Sequence, residues 1–531
     1  MPRTLDDLPP ELLHMILAHL GCEPHNTGII EPPDAHFRYR QQKRDQPSWY
    51  SLKLQPLVRL CLVSKRLCSA TQPILYQEFM LGYGDSWLSE IYTWDGRLLS
   101  FVRTVAQRRD LASFVKRIHV VPYLLQASRE ALQRKRKELE TWGPRPNEKD
   151  LMIPLEIEQD LAFFRDIYGL REPILRQSIL EDEAVDTLRE IGVALNIKGP
   201  GRLSAKHLII LLLAALPNLE YCSLFFGSDL QKMALYSKSL SAAGIPQLPL
   251  RIINLSGHFE SRFDLSSKAR DLLKISPCLE TLNLHKCYWT RERAAFPSLP
   301  SLKHIRITSS RLNEKGLENI LNSCHGLRSF TYEAGRLVID ATGPSWDCSD
   351  HFELRNAAGY LTRHCTTLES VHIDLRHRGG EPATPSTFSF CELTALKHLF
   401  LNLDEFHSRF FDHRCTDKSQ LFIHILPAGL NSLHLAGYIK EDLPRLKRGL
   451  LGLGQAAIKG QFPNLTEVRW DEKAKMDMEC AERSLFVNAG VEFSYDSWPA
   501  TRTSSREGVS IPSPNFRDPY YFPSSCDDPD L

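Results

Sequence analysis

The sequence has no long apolar run, no excess of charge of either sign and no paired-cysteine spacing. Each lack removes a class of protein. The longest unbroken apolar stretch, Leu208 to Leu216, is nine residues, against the roughly 20 that a bilayer-spanning helix needs. Lys and Arg number 65 against 64 acidic residues, a net charge of +1, so no global field draws nucleic acid or an anionic membrane surface. That argues for a protein partner. The thirteen cysteines form no C-x-x-C pair and are odd in number, as in a reduced, intracellular protein rather than a disulfide scaffold. Residues Met1 to Asp7 lack the apolar core of a secretory leader. The expected residence is therefore the cytoplasm, the nucleus or both.

Catalytic signatures are missing too. There is no G-x-x-x-x-G-K-[ST], H-E-x-x-H or G-x-S-x-G. Gly452-Leu-Gly454-Gln-Ala-Ala457 fits G-x-G-x-x-A, but a dinucleotide site requires that run to follow a strand and open a helix. Here it follows Leu446 to Gly449, a helix-like end, so no cofactor is expected. His407, His413 and Cys415 sit in a polar loop, while Cys278, His285 and Cys287 belong to a strand register that points Cys287 inward and His285 outward. Neither group is expected to hold a metal. No catalytic residue emerges, and the expectation is a binding protein.

What the chain does have is a repeat. Leu279-Glu-Thr-Leu-Asn-Leu-His-Lys-Cys287 reads L-x-x-L-x-L-x-x-C, and the same triplet of apolar anchors recurs at Leu219/Cys222/Leu224, Leu250/Ile253/Leu255, Leu302/Ile305/Ile307, Leu327/Phe330/Tyr332, Leu368/Val371/Ile373, Leu396/Leu399/Leu401, Leu430/Leu433/Leu435 and Leu465/Val468/Trp470. Successive first anchors are 31, 29, 23, 25, 41, 28, 34 and 35 residues apart. The period is loose, so several units carry insertions. Turn signals such as Pro217-Asn218, Pro277-Cys278, Pro300-Ser301 and Pro463-Asn464 precede the anchors, and helix-like runs such as Leu317 to Leu321 and Leu354 to Leu361 precede some of those turns. The pattern resembles a leucine-rich repeat. The resemblance implies an α/β solenoid, a horseshoe of short parallel strands whose second and third anchors face the core while the residues between them line an open concave surface.

That register nominates a binding row: Ser223, Asn254, Asn283, Arg306, Thr331, His372, Phe400, His434 and Arg469, with a second row two residues on. Arg306, His372, Phe400 and His434 are the candidate substrate contacts, because they mix charge and aromatic area as a protein-binding face does.

The N-terminus reads differently. Leu8-Pro-Pro-Glu-Leu-Leu-His-Met-Ile-Leu-Ala-His-Leu20 is a short helix with its prolines at the start, and Leu57 to Leu67 has apolar residues at helical spacing. The combination L-P-P-E-L-L-x-x-I-L-x-x-L followed by L-x-x-L-x-L-V-S-K-R-L resembles the F-box. Residues Gly21 to Lys53 stand where that family has a brief turn, and Ser64 and Leu67 stand where it commonly has cysteine and tryptophan. The resemblance implies a Skp-type adaptor as partner and, through it, a cullin-RING complex. Leu8, Pro9, Leu12, Ile16 and Leu17 would meet the adaptor, with Leu57, Leu60, Val63 and Leu67 shared between core and contact.

The expected organisation is thus a short all-helical F-box over residues 1–80 with an insertion at about 21–53, then an irregular repeat domain over 81–497. A helical insertion spans about 122–201 and contains the basic run Arg134-Lys-Arg-Lys137, read as a solvated face beside Glu130 and Glu138. A strand at Val115 to Val120 makes a plausible first repeat, and one at Val491 to Tyr495 closes the array. From 498 to Leu531 the composition turns to Pro, Ser, Arg and Asp, that of a disordered tail.

Overall fold

A computed structural model describes residues 5, 8–20, 49–81, 101, 104–120, 212–226, 245–257, 263–265, 269–288, 296–335, 352–375, 388–402, 418–437, 443–471 and 480–496. Residues 21–48, the insertion at 122–201 with its basic run, the loops at 340–350 and 377–387, the His407/His413/Cys415 set and the tail at 498–531 lie outside the described residues. The chain divides into two compact units. One takes the described residues up to Gly257 together with 269–279, and the other takes 263–265 and 280–496.

In the first unit, α1 (Pro10–Leu20), α2 (Trp49–Val63) and α3 (Lys65–Leu75) close around Leu13, Leu17, Leu57 and Leu67, with Leu20, Leu54, Leu60, Ala70, Ile74 and Leu75 packed at the margin. Proline is tolerated at the first position of α1 because that amide would have no helical acceptor. The run from Leu57 to Leu67 is two helices rather than one. Ser64 leaves the helical region at φ −152° and its hydroxyl accepts the Leu67 N–H at 3.1 Å, ending α2 and capping α3.

The chain then enters a sheet earlier than the sequence suggested. Residues Glu78–Leu81 form β1, which pairs in parallel with β2 (Arg117–Val120). Next come β3 (Tyr221–Phe226) and β4 (Ile252–Gly257), each parallel to the strand before it. The expected boundary between 80 and 81 therefore falls inside a strand. Short helices α4 (Arg109–Phe114) and α5 (Arg270–Lys274) also belong to this unit.

The second unit repeats one plan. Its strands are β5 (Phe263–Asp264), β6 (Thr281–His285), β7 (Cys287–Tyr288), β8 (His304–Ser310), β9 (Ser329–Ala334), β10 (Ser370–Asp374), β11 (His398–Asn402), β12 (Ser432–Ala436), β13 (Glu467–Asp471) and β14 (Glu492–Asp496). Among the described residues β5 pairs only with β7, while β6 and β8 to β14 form a parallel sheet in chain order. Parallel neighbours need a return path of a dozen or more residues, which the spacing of the anchors supplies. The return paths carry α6 (Glu314–Asn322), α7 (Leu354–Leu361), α8 (Leu443–Ile458) and α9 (Cys480–Asn488). Both helix-like runs of the sequence appear, as α6 and α7.

Every anchor triplet is in the core of its unit. The most exposed anchor, Leu465, is only 5% accessible, and Leu279, Leu282, Leu302, Phe330, Leu368 and Leu433 are fully buried. At about 1.5–3 kcal/mol for each such side chain removed from water, stacking rather than any single repeat holds the sheet together.

Candidate protein-binding surfaces

The N-terminal helices turn apolar residues in two directions. Leu13 and Leu17 of α1 point inward, while on the other side Leu12, Met15 and Ile16 are 47%, 62% and 41% accessible. On α2, Val58, Leu62 and Val63 are likewise exposed. Residues three and four apart share a helix face, so these are two stripes rather than scattered apolar side chains. The Arg66 guanidinium donates to the Leu8 carbonyl at 2.6 Å, tying the start of α1 to the corner between α2 and α3, where Leu62 and Val63 sit.

The residues expected to meet an adaptor therefore divide. Leu12, Ile16 and Val63 are on the surface, Pro9 is exposed and Leu8 half-buried. Leu60 lies against the bundle core. Leu17, Leu57 and Leu67 are 0%, 0% and 3% accessible. These three are sealed core with no surface to offer an adaptor, which corrects the expectation for Leu17 and leaves Leu57 and Leu67 with the core role alone of the two they shared. Met15, Val58 and Leu62 were missed, although their spacing to Leu12 and to one another carried the signal.

In the second unit the expected row exists. Strand register sets Asn283 beside Arg306, then Thr331, His372, Phe400, His434 and Arg469. The His372 and Phe400 rings stack at 3.9 Å and 7°, and Phe400 meets His434 edge-on at 4.8 Å. Arg306 is two strands from His372, across Thr331. The Glu333 carboxylate lies 3.4 Å from His372 Nε2.

The row is open only in part: Asn283, Arg306, His434 and Arg469 are half-buried, while its middle is closed. His372 is 1% and Phe400 3% accessible, and in the neighbouring row Asp374 is 3% and Asn402 1%. Burial, with His372 and Arg469 adding to it, pushes His434 down to about 3. His285, bonded through Nδ1 to the Thr308 hydroxyl at 2.8 Å, is also driven to about 3 by burial, with Lys286 and Arg306 adding. Strands packed at about 4.8 Å bring facing rings close enough to exclude water between them. His372 and Phe400 are part of the packed interior, so these two are not the grip that the register nominated, whereas Arg306 and His434 keep some surface.

The glycine run resolves cleanly. Gly452 and Gly454 lie in the middle of α8, with no strand leading into them. A side chain at Gly452 would overlap the Ser419 carbonyl, so this glycine lets a backbone turn approach the helix rather than cradling a phosphate. Cys287 is buried and hydrogen-bonded to the Ser310 hydroxyl, and Cys278 is exposed. Among the described residues no group of three His, Cys, Asp or Glu is placed to hold a metal, and no helix is long and apolar enough to cross a membrane.

A family model described as a leucine-rich repeat domain matches residues 284–495. Residues 284–495 form a leucine-rich repeat domain. No curated protein matches the chain. Among solved structures, the chain is similar to the leucine-rich repeat-containing protein LegL7 from Legionella pneumophila, with 17% identity over 59% of this chain and 84% of that one, at a TM-score of 0.29. The repeat domain is a protein-interaction module, and its matched span holds β8 to β14 and the row of His372, Phe400 and His434.

Proposed function

We propose that the protein is the non-catalytic substrate-recognition subunit of a Skp-cullin-F-box ubiquitin ligase. The N-terminal helices bind a Skp-type adaptor, and the repeat domain holds a protein substrate so that its lysines meet the ubiquitin-loaded enzyme. The chain supplies proximity rather than bond-making groups. Such a complex works inside the cell, in the cytoplasm or the nucleus.

The observation that carries this reading is the pair of exposed apolar stripes, Leu12, Met15 and Ile16 with Val58, Leu62 and Val63, on a bundle that already has its own core. A mere cap for the repeats would not need a second apolar face in water. The stripes lie on the helices that resemble the F-box. The test is co-purification of the chain with a Skp-type adaptor, wild type beside Leu12→Asp/Ile16→Asp. Stoichiometric capture, lost in the double variant with circular dichroism unchanged, is the expected result. If the wild type fails to capture the adaptor, the chain is a repeat scaffold outside any ligase.

A further inference from the structure

With His372 and Phe400 buried, the repeat domain's exposed polar groups lie largely at another place, the strand-start edge. The strand starts carry a backbone ladder. Lys303 and His304 donate to the Glu280 carbonyl, Arg328 and Ser329 to Lys303, Glu369 and Ser370 to Arg328, Lys397 and His398 to Glu369, and Asn431 and Ser432 to Lys397. Charges on this ladder pair between neighbouring repeats, Lys303 with Glu280 at 3.4 Å and Lys397 with Glu369 at 2.9 Å. Arg328 sits between those pairs, exposed, and its guanidinium makes no hydrogen bond or ion pair among the described residues.

Beside Arg328 a cleft of about 610 Å³ runs past the turns before β10, β11, β12 and β13, lined by Thr366, Glu369, Thr394, Lys397 and Asn431. That volume is within the range of ligand-binding clefts. Its walls are hydroxyls, amides and charges, two cations against one carboxylate. The hydrogen bond from Lys397, then the charges of Lys397 and Arg328, hold the Glu369 carboxyl below its usual range. Burial, then Arg328 and Lys303, lowers His304. The lining has no aromatic ring on which a base would stack and it includes a carboxylate, which disfavours a nucleic acid.

We infer that this cleft is where the repeat domain holds an extended polar protein segment, with an anionic side chain of that segment seated on Arg328. The guanidinium fork offers paired donors to a carboxylate or a phosphate. The threonine hydroxyls and the Asn431 amide serve the segment's backbone. The inference rests on the repeat domain acting as the partner-binding part of the chain, and it locates that action on the strand-start edge.

The test is a fluorescence-anisotropy titration of the full chain with labelled twelve-residue peptide pools. The pools are randomised over Ser, Thr, Asn and Gly and carry a fixed central Glu, phosphoserine or Gln. At least one anionic pool should bind about tenfold or more tighter than the Gln pool, and the tighter of the two identifies the source of the anion. Arg328→Glu should lose that binding, and Arg328→Lys should keep part of it. Arg328 is exposed, so circular dichroism and adaptor capture should not change in either variant. Equal binding of the Gln pool, no binding by any pool, undiminished binding by Arg328→Glu, or tighter binding of a single-stranded oligonucleotide would overturn the assignment. Anionic peptide binding by a wild-type chain that fails to capture the adaptor would refute the ligase reading alone.

Discussion

Two glycines only two residues apart in one helix, Gly452 and Gly454, should respond to alanine with opposite signs. In α8 an alanine is intrinsically better than glycine by about 1 kcal/mol. At Gly454 nothing opposes that gain: a new methyl would rest 3.5 Å from the Phe486 ring and 3.6 Å from Leu485, ordinary contact distances. At Gly452 the methyl would overlap the Ser419 carbonyl oxygen and lie 2.6 Å from its carbon and 3.0 Å from its Cα. These are backbone atoms and cannot rotate away. The turn at Lys418–Gln420 or the helix must shift by about an ångström, and overpacking of that kind costs about 1–3 kcal/mol or more. The net expectation is a loss of up to about 2 kcal/mol for Gly452→Ala and a gain of up to about 1 kcal/mol for Gly454→Ala. The chain has two units, so a single global midpoint would blur the effect. Hydrogen exchange read by mass spectrometry on peptides from 443–458 reports it locally. Equal or greater protection in Gly452→Ala would refute the close-approach account and reopen the glycine run to another role.

Phe400→Ala should cost about 3–5 kcal/mol of stability in the repeat domain, because the ring is enclosed between His372 and His434. A loss under about 1 kcal/mol in denaturant titration would mean the middle of the row is open after all. The buried histidines give a pH dependence with a definite sign. His285 and His434 are held near 3 in the folded chain, below the ordinary 6.5. Between those values the unfolded chain binds protons that the folded chain refuses. Stability is therefore full above about pH 6.5 and falls as the pH drops, by at most about 1.4 kcal/mol per unit for each histidine. Thermal unfolding from pH 7 to pH 5 should show the fall, and His434→Gln should flatten it. A Tm that is level across that range would contradict the burial of these rings.

The strand positions were legible in the sequence because a parallel strand buries alternate side chains and leaves a fixed apolar triplet behind: Leu279, Leu282 and Leu284 are core for the same reason that they were noticed. The register of the row followed as well, since in-phase anchors force the residues between them, Thr331, His372, Phe400 and His434, into line. Helical spacing at Leu12 and Ile16 likewise marked a face of α1. What periodicity does not encode is which side of an element meets water. Leu17, Leu57 and Leu67 share the apolar character of Leu12 and Val63, yet three helices closing on one another put the first three inside and left the others out. His372 and Phe400 are buried because stacking across strands is a relation among residues some 30 positions apart, fixed only when the strands pair. The place of Arg328, exposed between two ion pairs on the same ladder and without an ion pair of its own among the described residues, exists only in three dimensions. Sequence determined the repeat and its phase, through side-chain alternation; the tertiary structure decided exposure, because burial depends on what packs opposite.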